Sequence, residues 1–139
     1  MNAVFLIARI LFVVIFALSA IGHLTKADAM AQYAEYKGAP GGKAGVILTG
    51  LTMAIGALSV LFGIYGDLGS LLLAATLVPI TFFMHAHWKV EDAQTKMAEQ
   101  VSFNKNISLI GGALAFFLLF AATGAHLGLT VTGPLISLG

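Results

Sequence analysis

Cysteine is absent from the 139 residues, so the chain can form no disulfide, offers no thiolate to a metal and runs no thiol–disulfide relay by itself. Charge is nearly as scarce. Charged residues make up 9% of the sequence, against roughly 25% in an ordinary soluble domain. That deficit excludes a conventional water-soluble fold. The few charges fall in short segments and lay down no basic stripe for nucleic acid. Proline occurs three times, and Pro79 lies inside an apolar run, where it is expected to bend a helix. A cleaved signal peptide is not expected, despite Ala17-Leu18-Ser19, because no positive charge precedes the first run and Arg9 interrupts it.

Apolar residues are abundant, at 59%, and they gather in four runs at about 3–22, 44–65, 68–88 and 107–125. Crossing a bilayer takes about 20 apolar residues in a helix, and in lipid each backbone segment must satisfy its own hydrogen bonds. The short Tyr65-Gly66-Asp67 link makes the second and third runs antiparallel neighbours. The expected fold is an all-α membrane protein. It is a single domain: an antiparallel up-and-down bundle of four transmembrane helices, with short interfacial helices in the two long links.

Thr25 and Asp28 are spaced to cap the first link helix, and Lys37-Gly38 to end it. Met30, Tyr33 and Ala34 would share one of its faces. In the second link Val90, Ala93, Met97 and Val101 form a helical stripe, and Asp92 and Lys96 are spaced for an ion pair. Small residues four apart (Gly50 and Ala54, Ser59 and Gly63, Gly111 and Ala115) read as helix-packing positions. Lys26, Lys37, Lys43, Lys89, Lys96 and Lys105 fall on the side of the long links, which places those links in the cytoplasm and both termini outside. The tail, 126–139, is apolar but too short to span, and is expected to dock on the bundle or on a partner.

The densest chemistry lies in Thr81-Phe82-Phe83-Met84-His85-Ala86-His87-Trp88-Lys89. If the third helix runs through it, His85 and His87 stand about 200° apart and cannot hold one metal ion from the same face. No metal site is expected. The topology gathers His23, Lys43, Phe103, Lys105 and Asn106 at the same membrane side. The functional reading is a small ligand site: His85, Lys105 and Asn106 present donors to a carbonyl or anion, and Phe82, Trp88, Phe103 and Tyr33 supply aromatic walls. The competing reading is a ring of interfacial residues that snorkel and cap helix ends. Arg9 is the one ionisable residue set within a run, and a structural clamp with Asp67 or Tyr65 is expected.

Three pieces of the chain resemble the DoxX family of small four-helix membrane proteins. They are Arg9-Ile10-Leu11 with Phe16 to Leu24, Ala31 to Pro40, and Met84-His85-Ala86-His87-Trp88 with Phe103-Asn104-Lys105-Asn106 and Gly111-Gly112. The family often has a lysine where this chain has His23. The resemblance implies a small integral membrane subunit of a quinone-linked redox system, with a quinone headgroup as the ligand and no covalent cofactor. Without cysteine, a flavin motif or a haem-type histidine pairing, the chain is not expected to catalyse electron transfer alone. The alternative is a non-enzymatic scaffold or assembly subunit; a small-molecule permeation protein ranks below both. Expected partners are the lipid bilayer, other membrane subunits or a second copy of the chain. The expected location is the cell membrane, a bacterial inner membrane.

Overall fold

Each apolar run folds as a helix long enough to cross a membrane, and the computed structural model describes residues 2–124 and 128–138. In chain order the elements are α1 (Asn2–Thr25), α2 (Ala27–Tyr36), α3 (Gly42–Phe62), α4 (Gly66–Met84), a 3-10 turn (His87–Lys89) and α5 (Ala93–Thr123). The long helices α1, α3, α4 and α5 form the four-helix membrane bundle. On α1 the exposed Val4, Ile7, Leu11, Val14, Leu18 and Ile21 recur every three or four residues, while Phe5, Val13, Phe16 and Ala20 are buried. The helix is apolar all round, so one face packs and the other meets lipid.

α3 packs between α1 and α4, and α4 between α3 and α5. The α3–α4 contact is close because Gly56 and Gly69 carry no side chain. A Cβ at Gly56 would lie 2.7 Å from Leu73 and 3.1 Å from the Gly69 carbonyl oxygen. Gly50 does the same for α1, where a Cβ would sit 2.9 Å from that of His23. The seam between α1 and α5 is closed by rings: Phe12 to Phe116 at 4.8 Å and Phe5 to Phe120 at 5.4 Å between centroids.

Several local expectations are corrected. The second link does not hold a separate interfacial helix, because α5 begins at Ala93 and runs without a break into the fourth span. Its 31 residues reach about 46 Å, more than the roughly 30 Å hydrocarbon core. The first turns of α5 therefore stand outside the hydrocarbon. Asp92 caps that helix by accepting from the Thr95 N–H at 2.8 Å instead of pairing with Lys96. The cap satisfies an orphan N–H that an exposed ion pair would leave open. Met97 and Val101 face outward.

Thr25 does not cap α2. It ends α1 and donates to the Ile21 carbonyl, and Lys26 precedes α2 without a side-chain cap. Gly63 serves the α3–α4 turn in the left-handed region, φ +61°, and Ser59 donates to the Ile64 and Tyr65 carbonyls there. Gly111 is exposed, with nothing near the place of its missing Cβ. The expected helix end at Ala125 and the first tail residues, His126 and Leu127, lie outside the described residues, as does Gly139.

The tail docks on the bundle end opposite the long links. Val131 and Thr132 donate backbone N–H groups to the Phe62 and Gly63 carbonyls, and Leu138 to that of Ala121. Arg9 and Asp67, both fully buried, make no ion pair with each other. Each holds the tail instead. Arg9 donates from Nη2 to the Leu129 carbonyl at 2.8 Å and lies 4.8 Å from the Phe5 ring centre. Asp67 accepts from the Leu135 and Ile136 N–H groups at 3.0 and 2.8 Å. Backbone groups of a chain without regular structure need partners of this kind when they lie on an apolar surface. Among the described residues, the two non-glycine residues at positive φ, Tyr65 and Leu129, sit at these clamps, where surrounding bonds hold an otherwise costly conformation.

Candidate functional site

Helix α4 ends at Met84, so the expectation that His85 and His87 occupy opposite faces of one helix does not hold. The chain must turn back onto α5 within residues 85–92. It does so through an inverse γ-turn at Ala86, where the His87 N–H donates to the His85 carbonyl at 2.8 Å, and the 3-10 turn, which frees both rings from helical geometry. His85 turns inward. His87 joins a cluster of rings, 5.1 Å from Trp88 and 5.3 Å from Phe103 between centroids.

A cavity of about 140 Å3 opens inside the link end of the bundle. Its polar lining comes from Ser19 and His23 of α1, from His85, and from Lys105 and Asn106 of α5; Phe16, Met53, Leu77 and Leu109 supply apolar walls. Thus His85, Lys105 and Asn106 do come together. Phe82 and Trp88 do not line the cavity. They pack with Phe103 and His87 on the outer side of the α4–α5 turn, each about half exposed. Tyr33 faces a different space, described below.

His23 and His85 are oriented by their Nδ1 atoms, whereas His87 Nδ1 has no partner among the described residues. His23 Nδ1 lies 2.8 Å from the Ser19 carbonyl. A carbonyl only accepts, so Nδ1 carries the hydrogen and Nε2 is left free. His85 Nδ1 lies 2.7 Å from Glu99 Oε2, and an ionised carboxylate fixes the same tautomer. Asn106 is 5% exposed, yet its amide makes no hydrogen bond to any described residue. Its amide atoms are not among the fully enclosed atoms that lack a partner, so they open onto the cavity whose wall they help form.

Glu99 is the residue that sequence reasoning missed. It is 9% exposed and joins three elements. Oε1 accepts from Lys37 Nζ at 2.5 Å and from the Tyr33 hydroxyl at 3.5 Å, both on or just after α2, while Oε2 meets His85. For Lys37, burial pushes the pKa down, but the Glu99 carboxylate and the Tyr33 hydroxyl more than offset it, leaving the ammonium above its ordinary value. Glu99 stands in a polar stretch of sequence that gives no hint of burial. The only signal was its place in the first turns of a helix that continues into a span.

Among the described residues no cluster of side chains is arranged to hold a metal ion. The site offers hydrogen bonds, one nearby cation and a ring-sized space. No curated protein and no solved structure matches the chain. The DoxX family model matches residues 4–86, which carry Arg9, His23, Lys37, Asp67 and His85 and stop short of Glu99, Lys105 and Asn106. With more than half of its length matched and four apolar helices in one bundle, this membrane protein belongs to the DoxX family.

Proposed function

We propose that the link-end cavity binds the ring of a carbonyl compound, a quinone headgroup, and that the chain is a small, non-catalytic subunit of a quinone-linked membrane redox system. The observation that carries this reading is a ring-sized cavity on whose wall Asn106, a largely buried residue, presents an amide that bonds no described side chain or backbone group. An engineered cavity of about 150 Å3 accepts benzene, so about 140 Å3 suits a single six-membered ring. Asn106 and Lys105 supply donors for its oxygens, while Nε2 of His85 and of His23, bare in these tautomers, can only accept and suits the hydroxyl groups of the reduced ring. The partner that delivers or removes electrons would be another membrane subunit.

The scaffold reading loses one support, because the apolar tail that might have recruited a partner is docked on its own bundle. The membrane in question would be the cell membrane, with the lysine-rich links in the cytoplasm and both termini outside. A reporter active only outside should give signal when fused after the last residue and none when inserted at Gly41. The opposite pattern would reverse the assignment.

Asn106→Leu separates a ligand site from a structural residue. The replacement is close in volume and removes an amide that holds no described protein group, so the melting temperature should hold. Loss of one hydrogen bond in a dry site costs about 1–3 kcal/mol, roughly ten- to a hundredfold in affinity. The measurement is quenching of Trp88, the single tryptophan, by a one-ring benzoquinone in lipid nanodiscs. Unchanged affinity, or a fall in stability that tracks the fall in affinity, would remove the assignment.

A further inference from the structure

A second hollow, about 270 Å3, lies beside the first at the link end. It runs between α2, the start of α3 and the end of α4, with Met30 and Tyr33 on one wall and Pro79 and Phe83 on the other. Its lining contains no Lys, Arg, Asp or Glu. Lys37 and Lys43, at the end of α2 and the start of α3, are turned away from it, to Glu99 and to Asp28. Glycine and alanine keep it open, and a Cβ at Gly42 would meet nothing within 4 Å. His23 and Ile80 line both hollows and form their common wall.

We infer that this groove receives the hydrocarbon chain of the ligand whose ring occupies the cavity, so that the ligand is a tailed, lipid-soluble ring compound and not a small water-soluble one. The inference rests on the ring-site reading of the cavity. Two features support it. The cavity holds one ring and little more, so any tail must leave it. Across the His23–Ile80 wall the lining changes from one with imidazole, amide and ammonium groups to one that is almost wholly apolar, as the two ends of such a ligand require. Bilayer chains are as apolar as the groove, so the tail gains little by transfer. Its seat is set by shape, and filling the groove should exclude it.

The test uses Gly45→Leu on α3 and Ala34→Leu on α2, which fill the groove from opposite sides. A Cβ at Gly45 would lie 3.4 Å from the Pro40 carbonyl oxygen, an ordinary contact, and Ala34 is already helical, so both variants should fold. Full-length protein in nanodiscs is titrated with a methyl-substituted benzoquinone and with the same ring bearing a decyl chain, reading Trp88 quenching. Overfilling a packed space typically costs enough to weaken binding about tenfold or more. The decyl compound should lose that much in both variants, while the tailless ring binds as in the unsubstituted protein. Partition of the tailed probe into lipid is common to all three proteins and cancels. If both probes change together, or neither changes, the groove is not the tail's seat, and a resident bilayer lipid is its better occupant. If the tailless ring fails to bind the unsubstituted protein, the ring-site reading falls first and this inference with it.

Discussion

Asp67→Ala should lower the stability of the bundle by about 2–4 kcal/mol, because hydrogen bonds to a carboxylate contribute about 1.5–3 kcal/mol each and this one accepts two. The tail would then lie on the bundle end with two N–H groups released. Partial access of water to Leu135 and Ile136, both exposed, keeps the figure below the sum. Asp67→Asn retains an acceptor oxygen and should lose about half as much by the same reasoning. The measurement is denaturant unfolding in a fixed micelle, repeated on a chain ending at Gly133. If Asp67 acts through the tail, the alanine substitution should cost far less in the shortened chain, since interacting groups are not additive. An equal cost in both would place its role elsewhere in the turn.

Glu99→Ala should be comparably damaging, at about 2–4 kcal/mol. Removing one member of a buried pair strands the other, and here both Lys37 and His85 lose their acceptor. The side chains of Lys37 and Glu99 are 15% and 12% exposed, so solvent offers little compensation. The damage should appear first in α2, which Glu99 ties to α5 through Lys37 and Tyr33. Cleavage by a protease in the 38–42 linker should accelerate before the long helices melt. Lys37→Met added to Glu99→Ala should recover part of the loss, because an unpaired buried ammonium costs more than an apolar chain. A double variant no better than the single one would mean that the ion pair is not the tether. Glu99→Ala should also weaken binding of the reduced ring compound, since His85 loses the bond that keeps its Nε2 bare and oriented as an acceptor.

The two stabilising centres lie at opposite ends of the bundle and were unequally legible. Asp67 could be marked from its place in a short link between spans, and Arg9 from its place within one. The expected clamp between them does not form, because a charge in an apolar setting demands a partner without specifying which. The structure gave each a piece of tail backbone, chain that lies more than a hundred residues from Arg9. Glu99 was invisible for a related reason. Burial of a charged residue in a polar segment depends on what folds over it, and Lys37 and His85 arrive from distant parts of the chain.

What the sequence determined by itself was whatever follows from composition and period. Four continuous apolar runs of about 20 residues with almost no charge must become membrane helices, since the other arrangement that satisfies its hydrogen bonds in lipid, a closed barrel, is built from strands of about 10 residues with alternating polarity. The short 65–67 link then makes α3 and α4 neighbours, and the lysines collect at one end. His85, Lys105 and Asn106 could be assigned to one membrane side on that ground alone. Tertiary structure decided what depends on packing across the chain. Ending α4 at Met84 turned the His85 ring into the bundle and sent His87 and Trp88 to an outer cluster. The continuous α5 carried Glu99 under α2 and Asn106 into a cavity wall. Local pattern sets which face of a segment is apolar, but where a helix stops is settled by the partners that the chain meets beyond it, here the Glu99 carboxylate and the α5 surface.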